Sequence, residues 1–127
     1  PFFRGTLVDA GGDWTPLSSE DFRIEPTGYW KSPRSGAVYP SGWRLRVPKS
    51  EIELTVTPVL EDQELDTRGT TMIVYWEGAC EAAGTVKGRP VKGRAYVELV
   101  GYDRSHDRPN LAFFLMGNQF EFPGSAI

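Results

Sequence analysis

Apolar and polar side chains alternate most regularly between residues 43 and 57, and this alternation predicts two antiparallel strands. The apolar positions of the segment are Trp43, Leu45, Val47, Ile52, Leu54 and Val56. The charged positions between them are Arg44, Arg46, Glu51 and Glu53. Successive side chains of a strand point to opposite faces, and a Pro-Lys-Ser turn separates the two apolar triplets. We therefore expect a hairpin with one apolar face, and with the two arginines opposite the two glutamates on the other face.

Shorter segments of extended character lie on both sides of this hairpin. They cover residues 2–8, 22–25, 70–77, 78–86, 94–102, 111–116 and, as an edge strand, 119–122. We expect a turn over residues 87–93, and one short helical turn within 17–22, where Ser precedes two acidic residues. About seven or eight strands joined by tight turns predict an all-β, antiparallel fold, either a lipocalin-like (calycin) barrel or a strongly curved sandwich.

The composition of the chain agrees with this fold class. Of its 127 residues, 14 are Gly and 10 are Pro, and they interrupt the sequence every few residues, as turn residues do in a protein of many short strands. This length fits one hydrophobic core, so we assign residues 1–127 to a single domain.

Charge and the scarcity of metal-binding side chains exclude several classes of function. The formal net charge is −3, whereas a nucleic-acid-binding surface needs a clustered excess of Lys and Arg. A single Cys and a single His exclude an internal disulfide and a zinc site that takes two histidines from this chain. No apolar run approaches the roughly 18 residues of a membrane span. We therefore expect no nucleic-acid partner, no membrane span, no cofactor and no metal. The alternative for metal is weak binding of calcium by Asp103 and Asp107.

The segment from residue 29 to residue 43 is rich in aromatic and hydroxyl side chains, with two Trp, two Tyr and three Ser. An aromatic wall with a few hydroxyl groups suits an apolar ligand. We predict that Trp30, Ser32, Tyr39 and Trp43 line a ligand site. The alternative is a plug of core residues that closes the open end of the barrel.

Glu77 is a candidate general acid because it lies at the end of a predicted strand, next to Trp76. Burial raises the pKa of a carboxylic acid, which lets the acid carry a proton at neutral pH. Tyr75, Trp76 and, from the acidic segment 62–66, Gln63 would line the same site. The alternative is a carboxylate that accepts hydrogen bonds from backbone amides of a neighbouring loop.

Glu98 is a second carboxylate among apolar neighbours, and it shares its predicted face with Tyr96. On adjacent strands, Glu77 and Glu98 would form the acid–base pair that a hydration or a hydrolysis needs. Tyr96 and Tyr102 would then be ligand-binding residues. The alternative is an ion pair of each glutamate with a basic residue at position 92 or 94.

Neither His106 nor Cys80 is expected to be catalytic. Ser105 and Asp107 flank His106, but neighbours in sequence do not place their side chains in the geometry of a catalytic triad. Cys80 lies in a predicted strand, where a single Cys usually packs in the core.

Four motifs, in order along the chain, resemble one protein family. They are WKSPRSGAVYPSGW at residues 30–43, DQE at 62–64, YWEGA at 75–79 and GRAYVELVGY at 93–102. Together they resemble the AttH-like and carotenoid 1,2-hydratase (hydroxyneurosporene synthase) family over residues 2–102. The resemblance implies two lipocalin-like halves, of which this chain corresponds to the C-terminal half.

The same resemblance implies a secreted or periplasmic bacterial protein with an apolar, often terpenoid-like ligand. Its relatives are hydratases, cyclase-like proteins or proteins described as secreted hydrolases. Hydration of an alkene needs a strong acid that protonates carbon and aromatic faces that stabilise the carbocation. An extrapolation from the motif positions assigns these roles to Glu77, Trp76 and Trp30.

Three hypotheses of function follow. The first is a domain that binds a hydrophobic, terpenoid- or lipid-like small molecule, and that joins the missing N-terminal lipocalin-like half in a hydratase- or hydrolase-like protein. The second is a cofactor-independent hydratase or hydrolase with Glu77 or Glu98 as general acid. The third is a structural half-domain without a ligand. The binding hypothesis predicts an open aromatic cavity. The catalytic hypothesis predicts a desolvated carboxylate within that cavity, and the structural hypothesis predicts a filled interior.

The first strand begins where the sequence begins, so its outer edge could lack a partner. An exposed strand edge is a template for pairing with another chain. We therefore expect a tendency to form homodimers through this edge.

Overall fold

The computed structural model of the chain describes residues 4–103 and the backbone of residues 110–114. Antiparallel strands dominate this part of the chain, and its one helical element is a 3-10 turn at Pro48–Ser50. The strands are β1 (Arg4–Val8), β2 (Trp14–Ser18), β3 (Arg23–Pro26), β4 (Tyr29–Lys31), β5 (Val38–Pro40), β6 (Trp43–Val47), β7 (Ile52–Pro58), β8 (Glu64–Asp66), β9 (Val74–Val86), β10 (Arg89–Val100) and β11 (Asn110–Phe114). The prediction of an all-β, antiparallel fold is confirmed.

Seven of the strands form one curled sheet with the shape of a half-barrel. Its order is β11-β10-β9-β7-β6-β3, and the short strand β8 pairs with β9 next to β7. The remaining four strands form two small two-stranded sheets, β1–β2 and β4–β5. The described residues therefore contain eleven strands, more than the seven or eight predicted. The sequence pattern did not resolve the three-residue strands β4, β5 and β8, nor the five-residue strand β2.

The two-stranded sheet β4–β5 continues the hairpin of β3 and β6. The amide of Thr27 donates to the carbonyl of Gly42 (2.9 Å), and the amide of Ser41 donates to the carbonyl of Gly28 (2.8 Å). These bonds bridge β3–β6 and β4–β5. One antiparallel ribbon thus leaves the main sheet at these two glycines and continues as a separate two-stranded arm.

One face of the main sheet carries the core. On β9 and β10, alternate side chains are buried and the ones between them are more exposed, as expected of a sheet with a single covered face. The buried residues of the main cluster are Ala37, Tyr39, Trp43, Val56, Trp76, Cys80, Ala82, Ala95, Val97 and Leu99. Ala37 and Tyr39 come from the arm, so the arm covers part of the sheet's inner face.

The predicted hairpin between residues 43 and 57 is confirmed, with Leu45 opposite Leu54. Its charge pairing differs in part from the prediction. Arg46 lies 3.6 Å from Glu53, as predicted, and 3.8 Å from Glu25 of β3. Arg44 stands opposite Thr55 and Glu25, because Glu51 belongs to the turn, where it has a φ of 52°.

Three predicted element boundaries were wrong. Residues 70–73 precede the strand and form a turn, since the carbonyl of Thr67 accepts from the amides of residues 70, 71 and 72, and β9 then runs unbroken to Val86. The predicted turn over 87–93 consists of Lys87 and Gly88 alone, both with positive φ, as in the tightest hairpins. The segment 17–22, predicted to form a helical turn, contains the end of β2 and then a single turn over residues 19–21, closed by a hydrogen bond from the amide of Asp21 to the carbonyl of Ser18 (3.0 Å). The predicted edge strand 119–122 lies outside the described residues, as do residues 115 and 116 of the preceding segment.

Within residues 4–103 and 110–114, no helix has the length and apolar character needed to cross a membrane.

Candidate functional site

Aromatic side chains from the arm and the main sheet meet in the core. Tyr39 of β5 is fully buried, and its ring is stacked on Trp30 of β4 with centroids 6.0 Å apart. The ring of Tyr102, which follows β10, lies 5.5 Å away on another side. Trp43 and Trp76 form a second pair in the same cluster, with centroids 6.1 Å apart. The structure thus brings together five of the side chains predicted to bind a ligand.

Glu64 of β8 places a carboxylate beside these rings, and its side chain has no exposed surface. Its Oε1 accepts a hydrogen bond from the Ser32 hydroxyl at 2.6 Å. Its Oε2 accepts from the Ser35 hydroxyl at 2.6 Å and from the Tyr39 hydroxyl at 2.9 Å. Three hydroxyl donors therefore replace the water that a buried carboxylate loses.

The loop between β4 and β5 orients the serine hydroxyl groups toward this carboxylate. The oxygen of Ser32 accepts hydrogen bonds from the amides of Arg34 and Ser35, both at 3.1 Å. The oxygen of Ser35 accepts from the amide of Ala37 at 3.1 Å. Because local amides occupy the lone pairs of these oxygens, their hydrogens are free to point at Glu64. The Ser-Pro-Arg-Ser sequence is thus a preformed pair of donors.

Arg34 closes the network from the solvent side. Its guanidinium donates to the carboxylate of Asp62 and, at 2.9 Å, to the backbone carbonyl of Glu64. Its Nε lies 3.7 Å from Oε1 of Glu64, so a positive charge stands next to the buried negative one. The side chain of Arg34 is half-exposed, which leaves its own charge partly hydrated.

The environment also keeps the Tyr39 hydroxyl protonated. Burial raises the pKa of Tyr39 above its ordinary value, and the hydrogen bond to the Glu64 carboxylate raises the pKa further. Tyr39 is therefore a donor across the physiological pH range.

Gln63, a predicted ligand-binding residue, makes its described contacts with the backbone. Its Oε1 accepts from the amide of Ala79 at 2.9 Å, and its Nε2 donates to the carbonyls of Leu60 and Ala79. The indole N–H of Trp76 donates to the carbonyl of Glu61 at 2.7 Å. These contacts hold the segment that leads into β8, and so they position Glu64.

The two predicted catalytic carboxylates lie on the other face of the sheet. Trp76 points into the core, so Glu77, the next residue on β9, points away from it. Glu98 of β10 pairs directly with Glu77 across the ladder. The hydroxyl of Tyr96 donates to Glu77 at 2.6 Å, and this bond raises the pKa of Tyr96 to about 12. The structure thus brings Glu77, Glu98 and Tyr96 together, and separates them from the aromatic cluster.

Tyr75 also lies on this second face, because it alternates with Val74 and Trp76 of the core. The predicted ligand-binding residues therefore divide between two faces of one sheet. Trp30, Ser32, Tyr39, Trp43, Trp76 and Tyr102 belong to the inner face and the arm, whereas Tyr75 and Tyr96 belong to the outer face.

The inner aromatic site is filled in the described structure. Tyr39, Trp43 and Trp76 are each at most 2% exposed. Two open depressions of the described surface lie elsewhere, one along β1 and β2 and one beside the 3-10 turn. The described interior is therefore filled, as the structural hypothesis predicts. It also contains a desolvated carboxylate, that of Glu64, which is the feature that the catalytic hypothesis predicts.

His106 and Cys80 are the remaining residues with potentially nucleophilic or acid–base side chains. His106 lies outside the described residues. Cys80 is 2% exposed in the core, and burial raises the pKa of its thiol to about 11. A thiol with so high a pKa is a poor nucleophile at neutral pH.

Sequence reasoning missed Glu64, Ser35 and Arg34 as site residues. All three lie within the motifs at 30–43 and 62–64, and this position was the one sequence feature that could have identified them as site residues. Nothing in the sequence states that these two segments, about thirty residues apart, meet in space.

Comparison with known proteins identifies relatives of the chain. The AttH-like family model matches residues 1–102. A solved structure described as an AttH from Nitrosomonas europaea is 40% identical in sequence and superposes with a TM-score of 0.65. The match covers 76% of this chain and 29% of that protein, so the chain spans less than a third of its length. The comparison with curated proteins gave no significant match.

Proposed function

Because the chain belongs to the AttH-like family, we propose that it is a lipocalin-like domain that binds a hydrophobic, terpenoid- or lipid-like small molecule. In this proposal the domain is the C-terminal half of a longer, secreted or periplasmic protein of hydratase or hydrolase type, and a second lipocalin-like half completes the site.

One observation carries this proposal, the aromatic cluster around Tyr39 with a hydroxyl-bound carboxylate at its edge. Trp30, Tyr39 and Tyr102 provide flat apolar surfaces, which suit an unsaturated hydrocarbon. The Glu64 network adds a small number of fixed polar groups beside them. Apolar walls with a few oriented polar groups are the usual composition of a small-molecule site.

A fluorescence titration tests the proposal. Terpenoids, fatty acids and carotenoid fragments are added to the chain, and tryptophan emission is followed. We expect saturable quenching by one class of ligand, weakened about tenfold or more by Trp30→Ala. Trp14→Ala is the matched control, since Trp14 is 69% exposed on β2 and belongs to no part of the cluster. Flat titrations with every class would contradict binding by this domain.

A second candidate function is acid–base catalysis on the outer face. The observation that favours it is the direct pairing of Glu77 with Glu98 across the ladder, with the Tyr96 hydroxyl donating to Glu77. Two carboxylates side by side can supply the general acid and the general base that a hydratase or hydrolase needs. In the longer protein, Glu77→Gln and Glu98→Gln would each then lower turnover at least a hundredfold, and normal turnover in both variants would exclude this role.

A further inference from the structure

The arm, defined as residues 29–40, is attached to the rest of the molecule in two different ways at its two ends. At its base, the ribbon passes through Gly28 and Gly42. Gly42 has a φ of +88°, a conformation that residues with side chains rarely adopt. A Cβ at Gly28 would lie 2.9 Å from the carbonyl oxygen of Ser41. Gly28 lies opposite Ser41 and Gly42 lies opposite Thr27, so the two glycines are diagonal neighbours across the ribbon. Bending at this point requires few residues to change their backbone angles.

At its tip, side chains of the arm converge on one carboxylate. Ser32, Ser35 and Tyr39 all donate to Glu64, and Arg34 donates to the Glu64 carbonyl and to Asp62. These bonds join the arm to β8 through side chains, whereas the strands of the main sheet are joined by backbone ladders. We call the three hydroxyl bonds to Glu64 the latch.

Between the two ends, the arm covers the aromatic cluster. Tyr39 packs between Trp30 and Tyr102, and the same cluster contains Trp76 and Leu99 of the sheet. Removal of the arm from this position would expose an apolar floor on the sheet. Because these rings fill the interior, a ligand can bind here only if it takes the place of contacts that the rings now make with one another.

We propose that the arm is a hinged cover, which turns on Gly28 and Gly42 and opens when the latch to Glu64 is released, and that the ligand enters beneath it. This inference rests on the proposed binding function and names its route of entry. The geometry supports it with a glycine pair at one end, one carboxylate at the other, and an aromatic floor between them.

The latch also specifies the chemical class of the ligand. When the arm opens, Glu64 loses its hydroxyl donors and the neighbouring guanidinium of Arg34. A carboxylate that remains beneath a bound apolar molecule needs a replacement donor. The ligand that fits is therefore an apolar molecule with one hydroxyl group, and that group donates one hydrogen bond to Glu64 in place of one of the three donors that the arm withdraws.

The experiment uses the full chain and a matched pair of probes, geraniol and geranyl methyl ether, which differ in the ability to donate a hydrogen bond. Stopped-flow tryptophan fluorescence measures the rate of probe association, and amide hydrogen exchange measures opening of residues 29–40. Ser35→Ala removes one latch bond and leaves Glu64 in place. Ser19→Ala, an exposed serine remote from the arm, is the control.

We expect Ser35→Ala to increase both the association rate and the exchange of the arm about tenfold, since a weaker latch raises the population of the open state. The control should match the unaltered chain, and geraniol should bind at least tenfold more tightly than its ether. If Ser35→Ala fails to fold, Arg34→Gln at a half-exposed site weakens the same end of the arm with less disruption.

Two results would overturn the inference, and they are distinguishable. In the first result, the probe binds saturably, but Ser35→Ala and the unaltered chain have equal association rates and equal amide exchange in the arm. This would show that the ligand does not enter under the arm, while the binding function stands. Faster exchange of the arm with no saturable binding of either probe would show that the arm opens but that the binding function itself is wrong.

Discussion

Glu64 and Glu77 are two glutamates of adjacent, paired strands, and their surroundings differ completely. Glu64 shares the inner face with Trp76 and accepts three hydroxyl hydrogen bonds. Glu77 lies on the outer face with a single described hydroxyl donor, Tyr96. The sequence predicted one site for Glu77 and Trp76, although neighbouring side chains of a strand point to opposite faces. It did not identify the buried glutamate, because β8 is only three residues long and has no pattern of its own.

At the same scale, Cys80 allows a prediction about pH. Its neutral thiol is stabilised by burial, which raises its pKa in the folded state to about 11. A group whose pKa is raised by folding contributes stability below its unfolded pKa, and that contribution is lost as the pH rises through the folded value. Stability should therefore decline between about pH 9 and pH 11.

Urea unfolding of the chain at pH 8 and pH 10.5 measures this decline, with Cys80→Ala as the reference. Tyrosines also titrate at high pH, so the part of the decline that belongs to Cys80 is the part that the variant lacks. Ellman's reagent should leave the folded thiol unmodified at pH 8 and react at once in denaturant. Rapid modification of the folded chain would show that the thiol is accessible.

At the scale of elements, β7, β9 and β10 show how well the alternation of apolar and polar residues predicts the bounds of strands. The hairpin of β6 and β7 was predicted, because six apolar positions alternate around a clear turn. Its register differs from the predicted charge pairing, because Glu51 belongs to the turn and Arg44 stands opposite Thr55. The start of β9 was predicted too early, because residues 70–73 have strand-forming side chains although they precede the strand as a turn. The start of β10 was predicted too late, because Lys92 and Gly93 resemble turn residues. The long antiparallel ladder between these strands keeps those residues extended, from Arg89 opposite Val86 to Val100 opposite Tyr75.

Gly84 allows a prediction at this scale, because β7 approaches β9 closely there. A Cβ at Gly84 would overlap the backbone carbonyl of Glu53 on the neighbouring strand. Gly84→Ala should therefore lower the free energy of unfolding by about 1–3 kcal/mol, through displacement of one strand. Chemical denaturation measures this change. Gly69→Ala is the control, since a Cβ at Gly69 meets no atom within 4 Å, and an equal loss in both variants would contradict the explanation.

At the scale of the whole molecule, the half-barrel leaves apolar groups exposed along the small sheet β1–β2. Val8 and Trp14 stand opposite each other in that sheet, 55% and 69% exposed. Within the described residues, β1 pairs with β2 alone. The edge of β1 together with this apolar pair is a surface on which a second copy could add a strand.

Sedimentation velocity over a range of concentrations tests this association. We expect the average sedimentation coefficient to rise with concentration toward that of a dimer. Val8→Lys should weaken the association, because a lysine on an edge strand opposes pairing with another chain. Thr57→Lys adds the same charge on the interior strand β7 and should have no such effect. A monomer at every concentration would exclude the homodimer.

The sequence alone determined the all-β fold class, one complete hairpin and the family, since these depend on local alternation, turn residues and contiguous motifs. Only the tertiary structure decided which carboxylate is buried. It placed the serines of the arm against Glu64 and put Glu77 on the opposite face from Trp30. The reason is physical, because a strand pattern states which side chains share a face, whereas the curl of the sheet and the bend at Gly28 and Gly42 decide which faces meet.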